Sequence, residues 1–440
     1  MKWLFALSIF AFACGGDKLR HLPDAPPSID ALSADAGPPP PVTVTITNNG
    51  APQVGVTAIF TNADSSPVAM LQTDANGTAS QAMAAGGFVT AVVPVPILAG
   101  FVPAAPPYDL YTWAGVKPGD RLVFDESVQP PTQLSFTLIT PVVANATSYS
   151  VSLLCGNLGG YGSLTPPDGS DTLLPTGTVI APGCTTADVI VGAYASGTLL
   201  ATLYHPALAF AQDQTVDLSA TDHYVAAVSA TYTYANVPST SVSAQFTLVS
   251  SNVLFEASAS SAVDGGSATF AAAQPATGML AAFVDSGYTD GQNSHDVVDW
   301  GVANGNYTLD FAGQSLPDIG APSFDYGSDQ LTWTAGSGAP PDLALASLLF
   351  SGDPDVHQWT IAAPYAAGSL QLPLLAGYMP ATTDTLQIEE LETAQLPGGY
   401  DAVRDYALAA DAYFFVADGA TGRALLESYS AEVSSVARRR

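Results

Sequence analysis

Runs of β-branched and aromatic residues, cut every eight to twelve residues or so by Gly, Pro, Asn or Asp, cover nearly the whole chain. Residues 42–47 (VTVTIT), 135–139 (SFTLI) and 149–154 (YSVSLL) are typical. That rhythm suits two-sheet sandwiches and is too short for strand–helix–strand units. Helical periodicity is scarce. Residues 384–394 (DTLQIEELETA) are the one good helix candidate, with an extended strand as the rival reading. The 440 residues are 48% hydrophobic, enough apolar material for several cores and too much for a disordered chain. At roughly 100–150 residues per domain, three or four domains fit.

Charge narrows the function classes. Asp and Glu total 39 against 10 Lys and Arg, a formal net charge of −29. A nucleic-acid backbone binder needs clustered cations, so that class is excluded, as is electrostatic docking on anionic lipid. Between residues 22 and 437 the cations are Lys117, Arg121, Arg404 and Arg423 alone. The acidic balance keeps the chain soluble and self-repelling. The basic tail of Arg438, Arg439 and Arg440 reads as a frayed end.

Met1 and Lys2 precede an apolar run over residues 3–12, which suits a signal segment and is about half a membrane span. Ala11, Phe12, Ala13, Cys14 and Gly15 follow. They resemble a bacterial lipobox, which implies a signal peptide over 1–13 and a lipidated Cys14 as mature N-terminus. Ala11, Phe12 and Ala13 also fit an ordinary A-x-A cleavage site, which would give a secreted protein instead. Residues 15–41 are rich in Pro, Ala and Asp and keep no apolar period. They read as a disordered tether, reaching roughly 80 Å if extended at ~3.1 Å per residue. The expected address is the cell envelope, lipid-anchored, in the outer membrane and facing outward, since Gly15 is not the Asp associated with inner-membrane retention. Residues 88–102 are the most apolar later stretch, but Pro94 and Pro96 interrupt it and it is too short to span a membrane.

With Cys14 taken by the lipobox, Cys155 and Cys184 remain as an even pair in an exported chain, and a disulfide between them is expected. A structural zinc site lacks ligands: there is no CxxC, and His205 and His223 stand at no recognisable spacing from either Cys.

Residues 50–60 (GAPQVGVTAIF), 73–79 (TDANGTA) and 86–92 (GGFVTAV) follow one another in the first β-rich segment. This segment resembles the carboxypeptidase-regulatory-like and bacterial Ig-like domains, a likeness that implies fold and says nothing of activity. Physically, Asp-x-Asn-Gly suits a tight turn because Asn and Gly tolerate positive φ. A weak repeat links residues 115–124 (GVKPGDRLVF), 210–218 (FAQDQTVDL) and 301–311 (GVANGNYTLDF), spaced about 95 residues apart. Near the end, Trp333, Trp359 and residues 370–373 (LQLP) resemble a fibronectin type III pattern, with a closing hairpin over 412–429. The expected organisation is all-β: a lipidated Cys and tether over 14–41, then tandem Ig-like sandwiches over 42–128, 129–224, 225–316 and 317–437. If four such units stay in line, they make a stiff rod.

Chemistry is sparse. Three lysines leave no phosphate-binding GxxxxGK[ST] loop, and neither a GxSxG elbow nor an HExxH helix is present. The histidines (His21, His205, His223, His295 and His357) are scattered and read as surface or strand-end residues. Glu389, Glu390 and Glu392 read as a solvated face. Residues 285–299 hold a calcium candidate, Asp285, Asp290, Asn293, Asp296 and Asp299 beside His295, because Ca²⁺ takes six to eight oxygens. Trp113, Trp300, Trp333 and Trp359 read as core or junction residues. Tyr161, Tyr288 and Tyr326, in polar Gly-rich stretches, read as exposed contacts. The expectation is a non-catalytic envelope lipoprotein displaying spacer, adhesion or interaction modules, with no cofactor beyond the calcium candidate. Its membrane contact runs through the N-terminal lipid, and its other partner is a surface glycan or protein. The rival is a carbohydrate- or matrix-binding surface protein, and a secreted hydrolase stands third.

Overall fold

Alternation in sequence becomes one-sided burial in space. In the first strand, Val42–Asn48 (β1), Val42, Val44 and Ile46 are fully buried and the threonines between them only partly so. The structure, a computed structural model, describes residues 38–48, 51–94, 108–126, 133–155, 158–164, 176–182, 185–250, 253–276, 281–291, 293–300, 302–312, 316, 318–334, 340–350, 356–365, 368–375, 385–393, 398–406 and 431–439. Cys14, Cys184, residues 15–37 of the tether and the expected closing hairpin lie outside them, so the lipidation and disulfide expectations do too.

After β1 come β2 (Ala51–Pro52), β3 (Thr57–Thr61), β4 (Pro67–Gln72), β5 (Thr78–Gln81), β6 (Gly87–Pro94), β7 (Tyr108–Val116) and β8 (Arg121–Glu126). One sheet sets β1 between β5 and a parallel β8, with β2 pairing its end. The facing sheet runs β4-β3-β6-β7. The plan recurs in β9 (Gln133–Ile139), β10 (Ser148–Cys155), β11 (Leu158–Leu164), β12 (Thr176–Pro182), β13 (Thr186–Ala195), β14 (Thr198–Ala209) and β15 (Thr215–Asp217). Here the sheets are β12-β9-β15 and β11-β10-β13-β14, the latter extended by β16 (Val225–Ala226). It recurs again in β17 (Val228–Ala235), β18 (Ser241–Ser250), β19 (Val253–Ala262), β20 (Ala268–Gln274), β21 (Ala281–Asp290), β22 (Asn293–Trp300) and β23 (Tyr307–Asp310), as β20-β17-β23 facing β19-β18-β21-β22.

Leaving β2 aside and counting seven strands in each, the small sheet joins the fourth, first and seventh, and the large sheet the third, second, fifth and sixth. The immunoglobulin constant-type sandwich instead groups the first, second, fifth and fourth. The three sandwiches therefore share one strand order, which differs from the constant-type immunoglobulin order. The three weak sequence repeats fall on the same place in each, the connection from sixth to seventh strand and the seventh strand itself.

The last sandwich uses β24 (Ser323–Asp325), β25 (Gln330–Thr332), β26 (Leu343–Leu349), β27 (Val356–Pro364), β28 (Ser369–Gln371), β29 (Thr385–Thr393) and β30 (Ala431–Arg439), with a helical turn α1 (Tyr400–Val403) after β29. Its large sheet, β27-β26-β29-β30, repeats the plan. In its small sheet β24, antiparallel to β25, stands where the others carry their seventh strand. Residues 384–394 are therefore not a helix: β29 buries Leu386, Ile388 and Glu390 in strand alternation.

Sandwiches consecutive in sequence do not simply line up as a rod. β27 of the fourth pairs in parallel with β7 of the first, and the large sheets of the first, third and fourth join into one twelve-stranded sheet. The central stretch is buried on both faces. Val89, Ala91, Trp113, Leu343 and Ala362 face the β1 sheet; Phe88, Val92, Leu110, Ala344, Trp359 and Ile361 face the opposite way, toward Phe324, Leu331 and Trp333 of the small fourth sheet. Two-sided burial explains why β6 (GFVTAVVP) and β26 (LALASLL) read as continuous apolar runs without alternation. On the face turned toward the small fourth sheet, Thr90 and Thr112 hydroxyls lie 2.7 Å apart and the Trp359 indole N–H donates to Thr112 at 2.9 Å, whereas on the other face the Trp113 indole N–H is buried without a partner. The second and third sandwiches interlock likewise, with Ile190 and Leu199 joining the core around Tyr232, Phe246 and Phe255. No helix among the described residues is long and apolar enough to cross a membrane.

Candidate functional site

The calcium candidate is a regular hairpin. β21 and β22 pair from Phe283 opposite Trp300 to Asp290 opposite Asn293, and strand alternation divides the oxygen donors. Asp299, opposite Val284, shares the core-facing side with Tyr288 and His295, and accepts a hydrogen bond from the Tyr307 hydroxyl. Asp285 and Asp296 lie on the other face. Asn293 at the hairpin end accepts the Ile319 N–H at 3.1 Å, and Asp290 is exposed. The five donors do not converge. Among the described residues no group of three or more His, Cys, Asp or Glu side chains is arranged to hold a metal ion.

A different acidic arrangement emerges on the outer face. Asp285 stands opposite Gln245 of β18, and Glu256 of β19 adds a third carboxyl. Asp296 lies over Gly287, where any Cβ would come within 2.2 Å of its Oδ1. Burial, then the Asp296 and Glu256 charges, push the Asp285 carboxyl up to about 7. Burial pushes Asp296 up to about 6, with the Ser294 hydroxyl opposing. Asp285 Oδ1 is buried without a hydrogen-bond partner. Both carboxyls therefore keep their protons to higher pH than a free aspartate does. Sequence proximity hinted at Asp285 and Asp296, but Glu256, on another strand, carried no signal.

One histidine departs from its surface expectation. His295 is 1% exposed, stacks on Tyr288 with ring centroids 4.8 Å apart, and sets Nε2 2.8 Å from Asp318 Oδ1. Its Nδ1 is buried without a partner, so no nucleophile completes a triad there. His205 Nδ1 lies 3.0 Å from Asp222 Oδ1, and His223 is exposed. Tyr288 is itself buried, not an exposed contact, and Tyr326 is half-buried. The Tyr161 and Trp300 side chains lie outside the description. Trp113, Trp333 and Trp359 are core residues, as expected. Glu390 is no solvated charge: it is 1% exposed and accepts the Trp333 indole N–H at 2.6 Å, and burial raises its pKa.

The strongest electrostatic feature was not visible in sequence. Three of the four interior cations meet where the first and fourth sandwiches join. Arg404, just past α1, grips Asp120 with two N–H groups at 2.7 and 2.8 Å and bonds Asp401 with a third. Lys117 pairs with the same Asp401, whose carboxyl is held below its usual range first by that contact. The Asp405 carboxyl accepts the Arg121 backbone N–H, and burial raises its pKa. Beside them Tyr400, buried under Arg404, sets its hydroxyl 3.0 Å from both the Ala114 and Ala362 carbonyls, one on each of the paired edge strands β7 and β27. This group fastens two sandwiches together.

No family model and no curated protein matches the chain. Among solved structures, the Bacillus anthracis TIE protein aligns at 12% identity and TM-score 0.16, over 62% of this chain and 49% of its own length. The Streptococcal ancillary pilin aligns at 8% identity and TM-score 0.15, over 62% of this chain and 98% of its own. This chain thus spans about half of the TIE protein, and overlaps this loose carry no argument about function.

Proposed function

We propose that the chain is a non-catalytic surface protein, anchored through a lipid on Cys14, that holds a block of β-sandwiches clear of the cell envelope on the tether of residues 15–41. The observation that carries this reading is where the reactive side chains go. Asp299 serves Tyr307, Asn293 the Ile319 backbone, Glu390 the Trp333 indole, and Arg404 with Asp120 the junction of two sandwiches. The polar inventory holds the scaffold together, which is what a display or adhesion module needs. The lipobox-like motif, the Pro-rich tether and the −29 charge support the same reading.

The test is the intact mass of the native protein, with and without reduction. A diacylglyceryl-plus-acyl increment on a chain beginning at Cys14 is expected, together with a two-dalton gain on reduction of Cys155–Cys184. An unmodified N-terminus would overturn the anchoring. Hydrolysis of polysaccharide or peptide substrates by residues 42–440 would overturn the non-catalytic reading.

A further inference from the structure

The way each sandwich closes on itself has a mechanical meaning. In the first three, the strand by which the chain enters pairs in parallel with the strand by which it leaves. β1 and β8 match over six residue pairs, Thr43 with Arg121 through Asn48 with Glu126. β9 and β15 match over three, and β17 and β23 over four. Further backbone bonds lengthen each ladder: Thr43 N–H to Asp120 at 2.9 Å, Asp213 N–H to Ser135 at 2.7 Å, Leu218 N–H to Ile139 at 2.9 Å, and Phe311 N–H to Ala235 at 3.1 Å.

In a parallel pair the entering end of one strand and the leaving end of the other lie at opposite ends of the ladder. Tension between the chain's ends then slides one strand along the other and loads every hydrogen bond together. An antiparallel pair would put both ends on one side, and the bonds would open one at a time. Each seventh strand leads on to the first strand of the next sandwich, so the three ladders stand in series along the chain. The fourth sandwich has no such ladder among its described strands. It is joined to the first by the parallel β7–β27 pair, Tyr400 and Arg404, and to the third by the antiparallel β22–β30 pair.

We infer that this protein carries tension, with the parallel ladders of its first three sandwiches acting as shear clamps that resist a pull between the two ends of the chain. The first sandwich, with the longest ladder, is the strongest. The junctions of the fourth sandwich with the first and with the third bridge the intervening chain, so they part first and pass the load to the three ladders. The inference rests on strand register and would stand whether or not the protein is lipid-anchored.

The test is single-molecule stretching of the chain from residue 15 to 440, held at its two ends in reducing buffer. Flexible insertions of different length at the exposed turns beside Gly197 and Gly291 label the second and third sandwiches. After the junctions part, three ruptures are expected, each freeing about 300 Å of chain at ~3.5 Å per residue plus the length of its insertion, with the first sandwich last and at the highest force. Two neighbouring prolines probe the clamp. The register makes Val216 a donor to β9, whereas the Thr215 N–H faces away and its side chain is exposed. Val216→Pro should lower the rupture force of the second sandwich to about half, and Thr215→Pro should leave it unchanged. Leu203→Ala, a core truncation in β14, should lower equilibrium stability yet largely keep the force. If the first sandwich ruptures no later and no higher than the others, or if Leu203→Ala weakens the second as much as Val216→Pro, the clamp does not exist.

Discussion

Replacing Arg404 by Met tests the junction of the first and fourth sandwiches directly. The Arg404 side chain is 4% exposed and that of Asp120 11%, so their two-pronged pair is largely out of water. Removing one partner of such a pair costs about 3–5 kcal/mol, because the other charge stays buried and uncompensated. Asp120 would keep only the Lys117 backbone N–H, 2.6 Å from its Oδ2, and would face Asp405 unshielded. Asp401 is half exposed, so losing its bond to Arg404 adds at most about 1 kcal/mol. Against a typical domain stability of about 5–15 kcal/mol, the loss is large. Urea unfolding should show it, read by the fluorescence of Trp113 and Trp359, both fully buried in strands beside the junction. Asp120→Asn removes the stranded charge. The double variant should therefore be less destabilised than the two single losses combined, with a coupling of about 1–3 kcal/mol. Destabilisation below about 1 kcal/mol, or strict additivity, would refute the claim that this buried pair holds the sandwiches together.

Three other outcomes follow from the geometry. Asp285 and Asp296 titrate well above 3.8 in the folded state, so the folded chain binds more protons than the unfolded one between about pH 4 and 7. Stability from these groups is fully present below about pH 4 and falls as pH rises to 7; Asp285→Asn should flatten that slope in urea melts, and an unchanged slope would discard the assignment. Gly77 sits at φ +72° in the Asp74 turn, where a Cβ would come within 2.4 Å of the Ile46 carbonyl oxygen; Gly77→Ala should cost about 1–3 kcal/mol, and an unaffected melting temperature would contradict it. Because the five hairpin oxygens point to different places, EDTA should leave the thermal melt unchanged, and a rise in Tm with millimolar calcium would show that they gather around an ion after all.

Local pattern carried the fold class and some of its detail. The alternation in β1 marks its buried face, and TDANGTA becomes a turn in which Asp74 Oδ1 accepts the Asn76 and Thr78 N–H groups at 2.8 and 3.0 Å. Legibility failed where the deciding partner is remote. Glu390 looks solvated until Trp333, 57 residues away, supplies an indole N–H. That bond also explains how a strand wins over a helix at 385–393, since the buried face would otherwise carry an unpaired carboxyl. Tyr288 lies in a polar stretch, but strand alternation turns it inward onto His295. Arg404 and Asp120 are separated by 284 residues, and no local pattern can bring them together.

The central sheet with two buried faces also sets a schedule for folding. When the first sandwich has been made, Ile59, Phe88, Val92, Leu110 and Ala114 form an apolar outer face whose cover, Phe324 to Leu375, lies more than two hundred residues further along the chain. Until that cover arrives, the face is open to the wrong partner, and long-range pairing of this kind is slow and prone to aggregation. Truncation before residue 323 should therefore yield a first sandwich that forms its own core and still precipitates. Such a chain finishes its beginning last, and its solubility during synthesis depends on whatever shields that face in the interval.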